Sequence, residues 1–307
     1  MSTAVAAERW WDSDLAYNFR HSPVAVGALI VTVALIILAV GADFIAPVNV
    51  MDPGAANVID ARLPPGSSGM IGGTYLFGTD PQGRDMLSTV IYGLRTSILV
   101  GGLSVVIAMS LGVALGLAAG YYGGWFDGLI MRIADVQLSF PSILVALLID
   151  GVSRTVMNRA AHDALATTVL IVAIAASFWV QYARSVRGLV LVERDKDYVA
   201  AARIIGLSPL RIIWQHVRPN VMGPVLVIAT INLALAILTE STLSFLGVGV
   251  PPTTPSLGSL VRIGNEFLFS GDWWISVIPG AALVLLSLAV NLLGDWLRDA
   301  LNPRISS

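Results

Sequence analysis

The chain has 307 residues, of which 56% are hydrophobic and only 12% are charged, and its mean hydropathy is +0.78. Because soluble domains carry about 25% charged residues, this chain has too little polar surface to cover a water-soluble globule, and the bilayer is its natural solvent. The net charge of −2 lacks the basic excess of nucleic-acid-binding proteins, so we expect no nucleic-acid partner. The absence of cysteine excludes disulfides, thiolate metal sites and a cysteine nucleophile.

Residues 1–23 are predicted to form a cytoplasmic segment that is not cleaved. They mix acidic and basic residues, whereas a signal peptide has a basic start followed at once by an apolar run. Beyond them, five charge-free stretches come close to, or exceed, the roughly 20 apolar residues with which a helix crosses the bilayer. These predicted spans are 24–42, 96–126, 164–183, 219–239 and 273–294.

A sixth stretch, 129–149, is weaker because it contains Pro141 together with Arg132 and Asp135. The two charged residues are three apart, so they can face each other on one side of a helix near its end. We interpret the stretch as a span, and a re-entrant segment is the alternative. The charge-free run 241–261 is predicted to be a loop, because its prolines free backbone carbonyls that lipid cannot satisfy.

The placement of basic residues orients these spans, because cytoplasmic loops are enriched in Arg and Lys. With six spans, most of the 18 basic residues fall on the side of the N-terminus, and both termini are predicted to be cytoplasmic. The connection 43–95 is then extracytoplasmic, and its Pro-, Gly- and Ser-rich middle, 64–73, is predicted to be a mobile loop. A core domain is expected over 96–296, followed by a cytoplasmic tail over 297–307.

The cytoplasmic loop 193–220 contains two short helical patterns separated by Gly206. The first places Tyr198, Ala201, Ala202 and Ile205 at helical spacing, and Gly206 ends it because glycine readily adopts the left-handed conformation. Small side chains beside a glycine turn suit docking into a partner's groove. A helix lying passively on the lipid headgroups is the alternative.

The second pattern begins at Ser208, a good helix cap, and at Pro209, which suits the first helical position. Its predicted apolar face is formed by Leu210, Ile213, Trp214 and Val217. Pro219 is predicted to end this helix just before the fifth span.

Four motifs in chain order resemble one family. Ala201-Ala202, Gly206 and Pro219 resemble the cytoplasmic "EAA" coupling loop of bacterial ABC-importer permeases. In the dipeptide/oligopeptide/nickel group of that family, similar sequences precede and enter the second span, mark the third span and follow the fifth. In this chain they are FGTDPQGRD at 77–85, YGLRTSILVG at 92–101, Arg132, Asp135, Phe140 and Pro141, and ESTLSFLGVGVPP at 240–252. The acidic residue of the EAA motif is Ala200 here, so any ion pair that it makes must come from Asp197 or Glu193.

The resemblance implies an all-α integral membrane protein of the bacterial inner membrane, with the type I importer fold of a five-helix core plus an N-terminal helix. It also implies a heterodimer with a homologous second permease, two ABC ATPase subunits, an extracytoplasmic substrate-binding protein, and di- or oligopeptides as the expected cargo. Nickel chelates, glutathione and opine-like compounds fit the group as well. The residues implied to contact the ATPase are Tyr198, Ala201, Ala202, Arg203, Gly206, Leu207, Ser208, Pro209 and Pro219.

No catalytic residue, metal site or bound cofactor is expected in this chain. Its sole lysine, Lys196, lies between two aspartates with no glycine-rich loop before it, so the chain lacks the P-loop that holds ATP phosphates. ATP and Mg are therefore expected in the partner ATPase subunits. The main rival function is a secondary transporter driven by an ion gradient, which is expected to carry polar or charged groups at the middle of its spans.

Glu240 follows the fifth predicted span and is expected near the outer mouth. An ionisable group at a membrane edge is costly unless it is paired, and it is often functional. Two interpretations are open: a glutamate that is solvated or caps a neighbouring helix, or a pathway or gate residue acting with Phe245 and Gly247. Arg84 and Asp85, before the second span, either contact the binding protein or pair within the chain.

Overall fold

The computed structural model describes residues 14–52, 54, 57–70, 73–251 and 253–300. The first part of the predicted cytoplasmic segment, 1–13, and most of the predicted tail, 301–307, lie outside the described residues. The helices are α1 (Asp14–Arg20), α2 (Pro23–Val40), α3 (Ala42–Ile45), α4 (Met86–Tyr122), α5 (Gly124–Leu138), α6 (Ser142–Val156), α7 (Arg159–Glu193), α8 (Asp197–Ile204), α9 (Pro209–Ile212), α10 (Arg218–Phe245), α11 (Leu257–Phe267) and α12 (Trp274–Ala300). A π-helical turn (Ile213–Val217) joins α9 to α10, and two short strands, β1 (Ser67–Ser68) and β2 (Thr74–Tyr75), pair before α4.

Five helices within the described ranges are long and apolar enough to cross a membrane: α2, α4, α7, the continuous helix Pro209–Phe245 and α12. Each overlaps one of the five charge-free stretches. Apart from α2, the helices are longer than those stretches, and polar caps outside the apolar part start α4, α7 and α9. Asp85, for example, accepts a hydrogen bond from the Ser88 backbone N–H at 2.8 Å, so α4 begins ten residues before the predicted span.

The weak sixth stretch forms the helix pair α5 and α6, which bend by 94° at a short break before Ser142. Pro141 lies at this break because it cannot continue the hydrogen-bond ladder of α5. The pair completes a sixth span if its two halves cross the membrane together. Asp135 does not pair with Arg132 as expected. It pairs with Arg184 of α7, at 3.0 Å.

The prediction of a loop over 241–261 is wrong at both of its ends. Helix α10 continues to Phe245, and α11 begins at Leu257 behind a capping box formed by Ser256 and Ser259. Pro251 and Pro255 fall in the connection between the two helices, so they interrupt no helical hydrogen bonds.

The connection before α4 contains a pair of short strands, because β1 lies within the predicted mobile loop 64–73 and pairs with β2 just after it. The buried carboxylate of Asp60 organises this region. It accepts hydrogen bonds from Asn57 Nδ2 at 2.9 Å, the Met70 backbone N–H at 3.0 Å and Tyr75 Oη at 3.1 Å. These bonds join the turn at 57–60 to Met70 and to β2.

Arg95 attaches α2 to the rest of the bundle. Its guanidinium donates to the carbonyls of Ala39 and Val40 at 2.8 and 2.9 Å, at the end of α2, and pairs with Asp43 at 2.9 Å. A cation at a helix C-terminus satisfies carbonyls that have no partner in the helix. The hydrogen bonds from Arg95 and Tyr92 lower the pKa of the Asp43 carboxyl, so the ion pair stays intact at neutral pH.

Helices α4 and α7 pack closely against each other through a row of glycines on α4. A Cβ added to Gly112 would lie 2.4 Å from the Trp179 carbonyl oxygen, and one added to Gly116 would lie 2.6 Å from that of Ala183. Small residues let membrane helices approach closely and gain dispersion energy along the contact. The α4–α7 contact therefore depends on the absence of side chains at these positions.

Replacing Gly116 with valine is expected to destabilise the protein by about 1–3 kcal/mol, the usual cost of overpacking a core. The matched control is Gly102→Val, because Gly102 lies on the same helix with nothing within 4 Å of its Cβ position. Thermal midpoints of the detergent-solubilised variants, read from the monodisperse peak after heating, measure the difference. Equal midpoints for the two variants would contradict the close packing.

Candidate functional site

The loop between α7 and α10 folds locally as its sequence predicts. Helix α8 ends at Ile204, and Gly206, just after it, has φ of +80°. The Leu207 N–H donates to the Ala202 carbonyl at 3.1 Å, as in a Schellman motif. Ser208 accepts a hydrogen bond from the Arg211 N–H at 3.4 Å, and Pro209 is the first residue of α9. The predicted helix–turn–helix is therefore present.

The surface of this loop differs from the predicted one. Ala201 is exposed, but Ala202 is only 3% exposed and packs with Val199 in the core of the bundle. The prediction that both alanines face a partner is thus wrong for Ala202. Of the predicted apolar face of the second helix, Ile213 and Val217 are buried, whereas Leu210 and Trp214 are exposed.

Three large apolar side chains surround the glycine turn and project from the protein. Ile204, Ile205 and Leu210 are 86%, 74% and 63% exposed, and we call them the coupling patch. Exposed apolar patches of this kind mark interaction sites. The sequence suggested small residues as the docking surface. It placed Ile205 and Leu210 in the two helical patterns and gave no role to Ile204, although two adjacent isoleucines before a glycine were a usable signal.

Buried polar contacts hold the loop against the bundle. Glu193, one of the two candidates for the missing acidic partner, accepts a hydrogen bond from Tyr198 Oη and pairs with Lys196 at 2.8 Å. Burial and this carboxylate raise the pKa of Tyr198 to about 12, so the tyrosine remains a neutral donor at any physiological pH. Asn220 donates to Tyr198 Oη at 3.1 Å, which ties α8 to the start of α10.

The second short helix does not end at Pro219, contrary to the prediction. Residues 209–245 form one helix, in which the π-helical turn Ile213–Val217 lies just before Pro219. A π-helical turn shifts the hydrogen-bond register, and proline lacks the N–H that a regular register would require. The coupling patch is consequently joined to the membrane span without a flexible joint.

Glu240 is fully buried, so the interpretation as a solvated interfacial residue is wrong. Its carboxylate accepts hydrogen bonds from Ser97 Oγ and Ser244 Oγ, both at 2.7 Å, and from Ser241 Oγ at 3.2 Å. Because Ser97 Oγ also accepts from the Leu257 N–H at 3.2 Å, these residues link α4, α10 and the start of α11. We call Glu240, Ser97, Ser241 and Ser244 the glutamate clasp.

The other predicted gate residues lie just beyond the clasp. Phe245 is the last residue of α10 and is partly exposed. Gly247 has φ of +81°, and the Val248 N–H donates to the Leu243 carbonyl at 2.9 Å, so Gly247 ends α10 as Gly206 ends α8.

Arg84 and Asp85 are both buried and bonded within the chain. Arg84 pairs with Asp80 at 2.7 Å, and Asp85 caps α4. These contacts give both residues a structural role, and their contact with a binding protein stays a prediction. Nowhere in the described ranges do three or more His, Asp or Glu side chains gather as metal ligands would.

These observations define a multi-pass membrane protein in which a surface loop with an exposed apolar patch continues directly into a spanning helix. A family model described as "Binding-protein-dependent transport system inner membrane component" matches residues 112–307. A second, described as "N-terminal TM domain of oligopeptide transport permease C", matches residues 10–65.

Named relatives and a solved structure agree with these models. The dipeptide transport system permease protein of Escherichia coli (strain K12) is 40% identical over 94% of this chain and 92% of its own length. The di/tripeptide transport system permease protein of Pseudomonas aeruginosa (strain UCBPP-PA14) is 36% identical over 94% and 91%. The MetNI methionine ABC transporter, in an inward-facing conformation, shares the fold with a TM-score of 0.55 at 18% identity, over 71% of this chain and 98% of that one.

The chain belongs to the family of inner-membrane components of binding-protein-dependent transport systems. The predicted family and fold class, an all-α integral membrane protein with the type I importer fold, are confirmed. The family does not favour the ion-coupled transporter considered above.

Proposed function

We propose that this chain is one of two permease subunits that together form the pathway of a peptide importer, with ATP hydrolysed by separate ABC ATPase subunits. The peptide cargo is supported by the relatives, whose names specify dipeptide or di/tripeptide transport. A substrate-binding protein is expected to deliver the peptide at the end of the bundle away from the coupling patch. The ATPase subunits hold the ATP and Mg, and this chain binds neither.

The observation that carries the coupling role is the continuity of Pro209–Phe245. A force on the coupling patch reaches the fifth span through a single helix. Near its far end lies Glu240 of the glutamate clasp, about 30 residues, or some 45 Å, from Leu210 at 1.5 Å per residue. Movement of the ATPase subunits therefore tilts α10, and α7 moves with it through the Glu193–Tyr198–Asn220 contacts. Tyr198, Ala201, Arg203, Gly206, Leu207, Ser208 and Pro209 form or shape the docking surface, while Ala202 supports it from below.

The proposed topology has both termini and the loop 193–220 in the cytoplasm and the connection 43–85 outside the inner membrane. This topology follows from the distribution of Arg and Lys. The Arg187–Asp127 pair, with contacts of 2.6 and 2.9 Å, then lies at the cytoplasmic end and holds α5 against α7.

The test is uptake by a bacterial strain that lacks its own peptide permeases and expresses the complete transport system. Accumulation of a radiolabelled dipeptide, dependent on this chain and on a functional ATPase, supports the proposal. Accumulation of nickel without any dipeptide uptake contradicts the peptide cargo. Uptake that survives inactivation of the ATPase subunits contradicts the mechanism.

A further inference from the structure

A polar cleft of about 600 Å³ opens at the end of the bundle away from the coupling patch. It lies between the 80–84 turn, the start of α7, the connection 246–256 and α11. Its volume falls within the roughly 300–1,000 Å³ typical of small-molecule sites.

Four arginines and one acidic residue line this cleft: Arg84, Arg154, Arg159, Arg262 and Asp163. Two of the arginines are neutralised by carboxylates, since Arg84 lies 2.7 Å from Asp80 and Arg154 lies 2.6 Å from Asp150. Arg159 and Arg262 have no carboxylate partner in the part of the chain that the structure describes. The cleft therefore carries an excess of positive charge.

Two further features favour an anion in the cleft. The N-terminus of the 35-residue helix α7 ends there, and the partial positive charge of a helix N-terminus attracts anions. His162, on the same turn, is 4% exposed and faces the cleft, and its Nε2 has no hydrogen-bond partner. This nitrogen lies 3.4 Å from Asp150 Oδ1 but forms no hydrogen bond with it.

Two glycines make room for the guanidinium of Arg262 and for the hydroxyl of Ser244. A Cβ added to Gly247 would lie 2.9 Å from Arg262 Nη1, and one added to Gly249 would lie 2.8 Å from Ser244 Oγ. Ser244 lines the cleft and donates to Glu240 at 2.7 Å. The cleft thus ends on the glutamate clasp, at the C-terminus of the helix that begins at the coupling patch.

We propose that this arginine cleft binds a carboxylate of the transported solute, with Arg159 and Arg262 as its ligands. Guanidinium groups match the two oxygens of a carboxylate in shape and charge, and an exposed arginine pair exchanges its ligand readily enough for a transport pathway. That the carboxylate is the C-terminal group of a peptide rests on the proposed function. With this site, the permease itself recognises the carboxylate of the peptide during transport.

Charge-selective cysteine labelling tests the cleft without depending on transport. The chain has no native cysteine, so Gln82→Cys introduces a single thiol at the cleft in the intact transporter complex in lipid nanodiscs. The rates of reaction with anionic sulfonatoethyl and cationic trimethylammonioethyl methanethiosulfonate are compared. We expect the anionic reagent to be favoured, and the ratio of rates to fall about tenfold in Arg159→Gln/Arg262→Gln, the lower end of the range produced by focused charge.

Arg62→Gln is the matched control, because Arg62 lies at the same end of the bundle, is exposed, and does not line the cleft. Alanyl-alanine is expected to slow labelling, and alanyl-alanine amide, which lacks the carboxylate, is expected to have no effect. A ratio that is unchanged in the double variant, or equal protection by the acid and the amide, would overturn the inference and leave the peptide-uptake test unaffected. Protection by acetate without protection by alanyl-alanine would support the carboxylate site and count against the peptide cargo.

Discussion

Gly206→Val is expected to abolish uptake while leaving membrane insertion and thermal stability close to those of the parent chain. Gly206 has φ of +80°, where a β-branched residue pays about 1–3 kcal/mol of backbone strain. Nothing lies within 4 Å of its Cβ position, so the side chain itself causes no clash in the isolated subunit. The strain is relieved by a change in the turn, which moves Ile205 and Leu210 relative to each other and disrupts the coupling patch.

Gly206→Asn is the matched control, because asparagine tolerates the left-handed conformation better than any β-branched residue. We expect this variant to retain a substantial part of uptake and of ATPase stimulation. The measurements are dipeptide uptake and ATP hydrolysis by the reconstituted complex, with the amount of inserted protein held equal. Normal uptake and normal hydrolysis in Gly206→Val would refute the coupling role of the turn.

Glu240→Ala is expected to abolish uptake for a different reason, the loss of the glutamate clasp. The substitution removes the acceptor of three serine hydroxyls and leaves a buried cavity, for which we expect a destabilisation of about 2–5 kcal/mol. Ser97 Oγ then loses its acceptor, so the hydroxyl that accepts from the Leu257 N–H is no longer fixed between α4 and α11. Thermal midpoints and uptake should both fall.

Glu240→Gln separates a positional role from a role of the negative charge. Glutamine keeps the shape and an amide oxygen that accepts from serine, and the serine hydroxyls can in turn accept from its NH₂ group. We expect a midpoint near that of the parent and most of the uptake. A stable Glu240→Gln protein without uptake would show that the gate uses the carboxylate charge, which contradicts the clasp as its sole role.

The sequence was sufficient where local chemistry determines the structure. Gly206, Ser208 and Pro209 each act on their own turn of the chain, so the end of α8 and the start of α9 were predicted correctly. The five apolar stretches likewise predict the long apolar helices, and polar caps such as Asp85 start several of these helices before the apolar stretch.

The sequence was insufficient where the outcome depends on distant partners. Glu240 is satisfied by Ser97, which lies 143 residues earlier, and no local pattern reveals that contact. Ala201 and Ala202 are adjacent, and which of them packs against the bundle depends on how α8 is oriented by Glu193 and Tyr198. The prediction that Pro219 ends a helix was wrong, because the π-helical turn before it shifts the hydrogen-bond register at the position where proline lacks an N–H.

The arginine cleft illustrates the same limit. Arg159 is the first residue of α7, and Arg262 lies within α11. Neither residue is part of a recognisable sequence motif. Only the folded chain shows that they share a cavity with Gly247, and that their neighbours Arg84 and Arg154 are already paired.

The central claim is that the coupling patch faces the cytosol and is covered by a separate ATPase. Its most direct test uses the variant Ile205→Cys, which places a single cysteine at an exposed position of the patch. A membrane-impermeant maleimide is predicted to leave this cysteine unmodified in sealed cells. The same reagent should label it in inverted vesicles stripped of the ATPase subunits, and rebinding of those subunits should block the reaction. Labelling of Ile205→Cys from outside sealed cells, where Gln82→Cys serves as the positive control, would contradict the account.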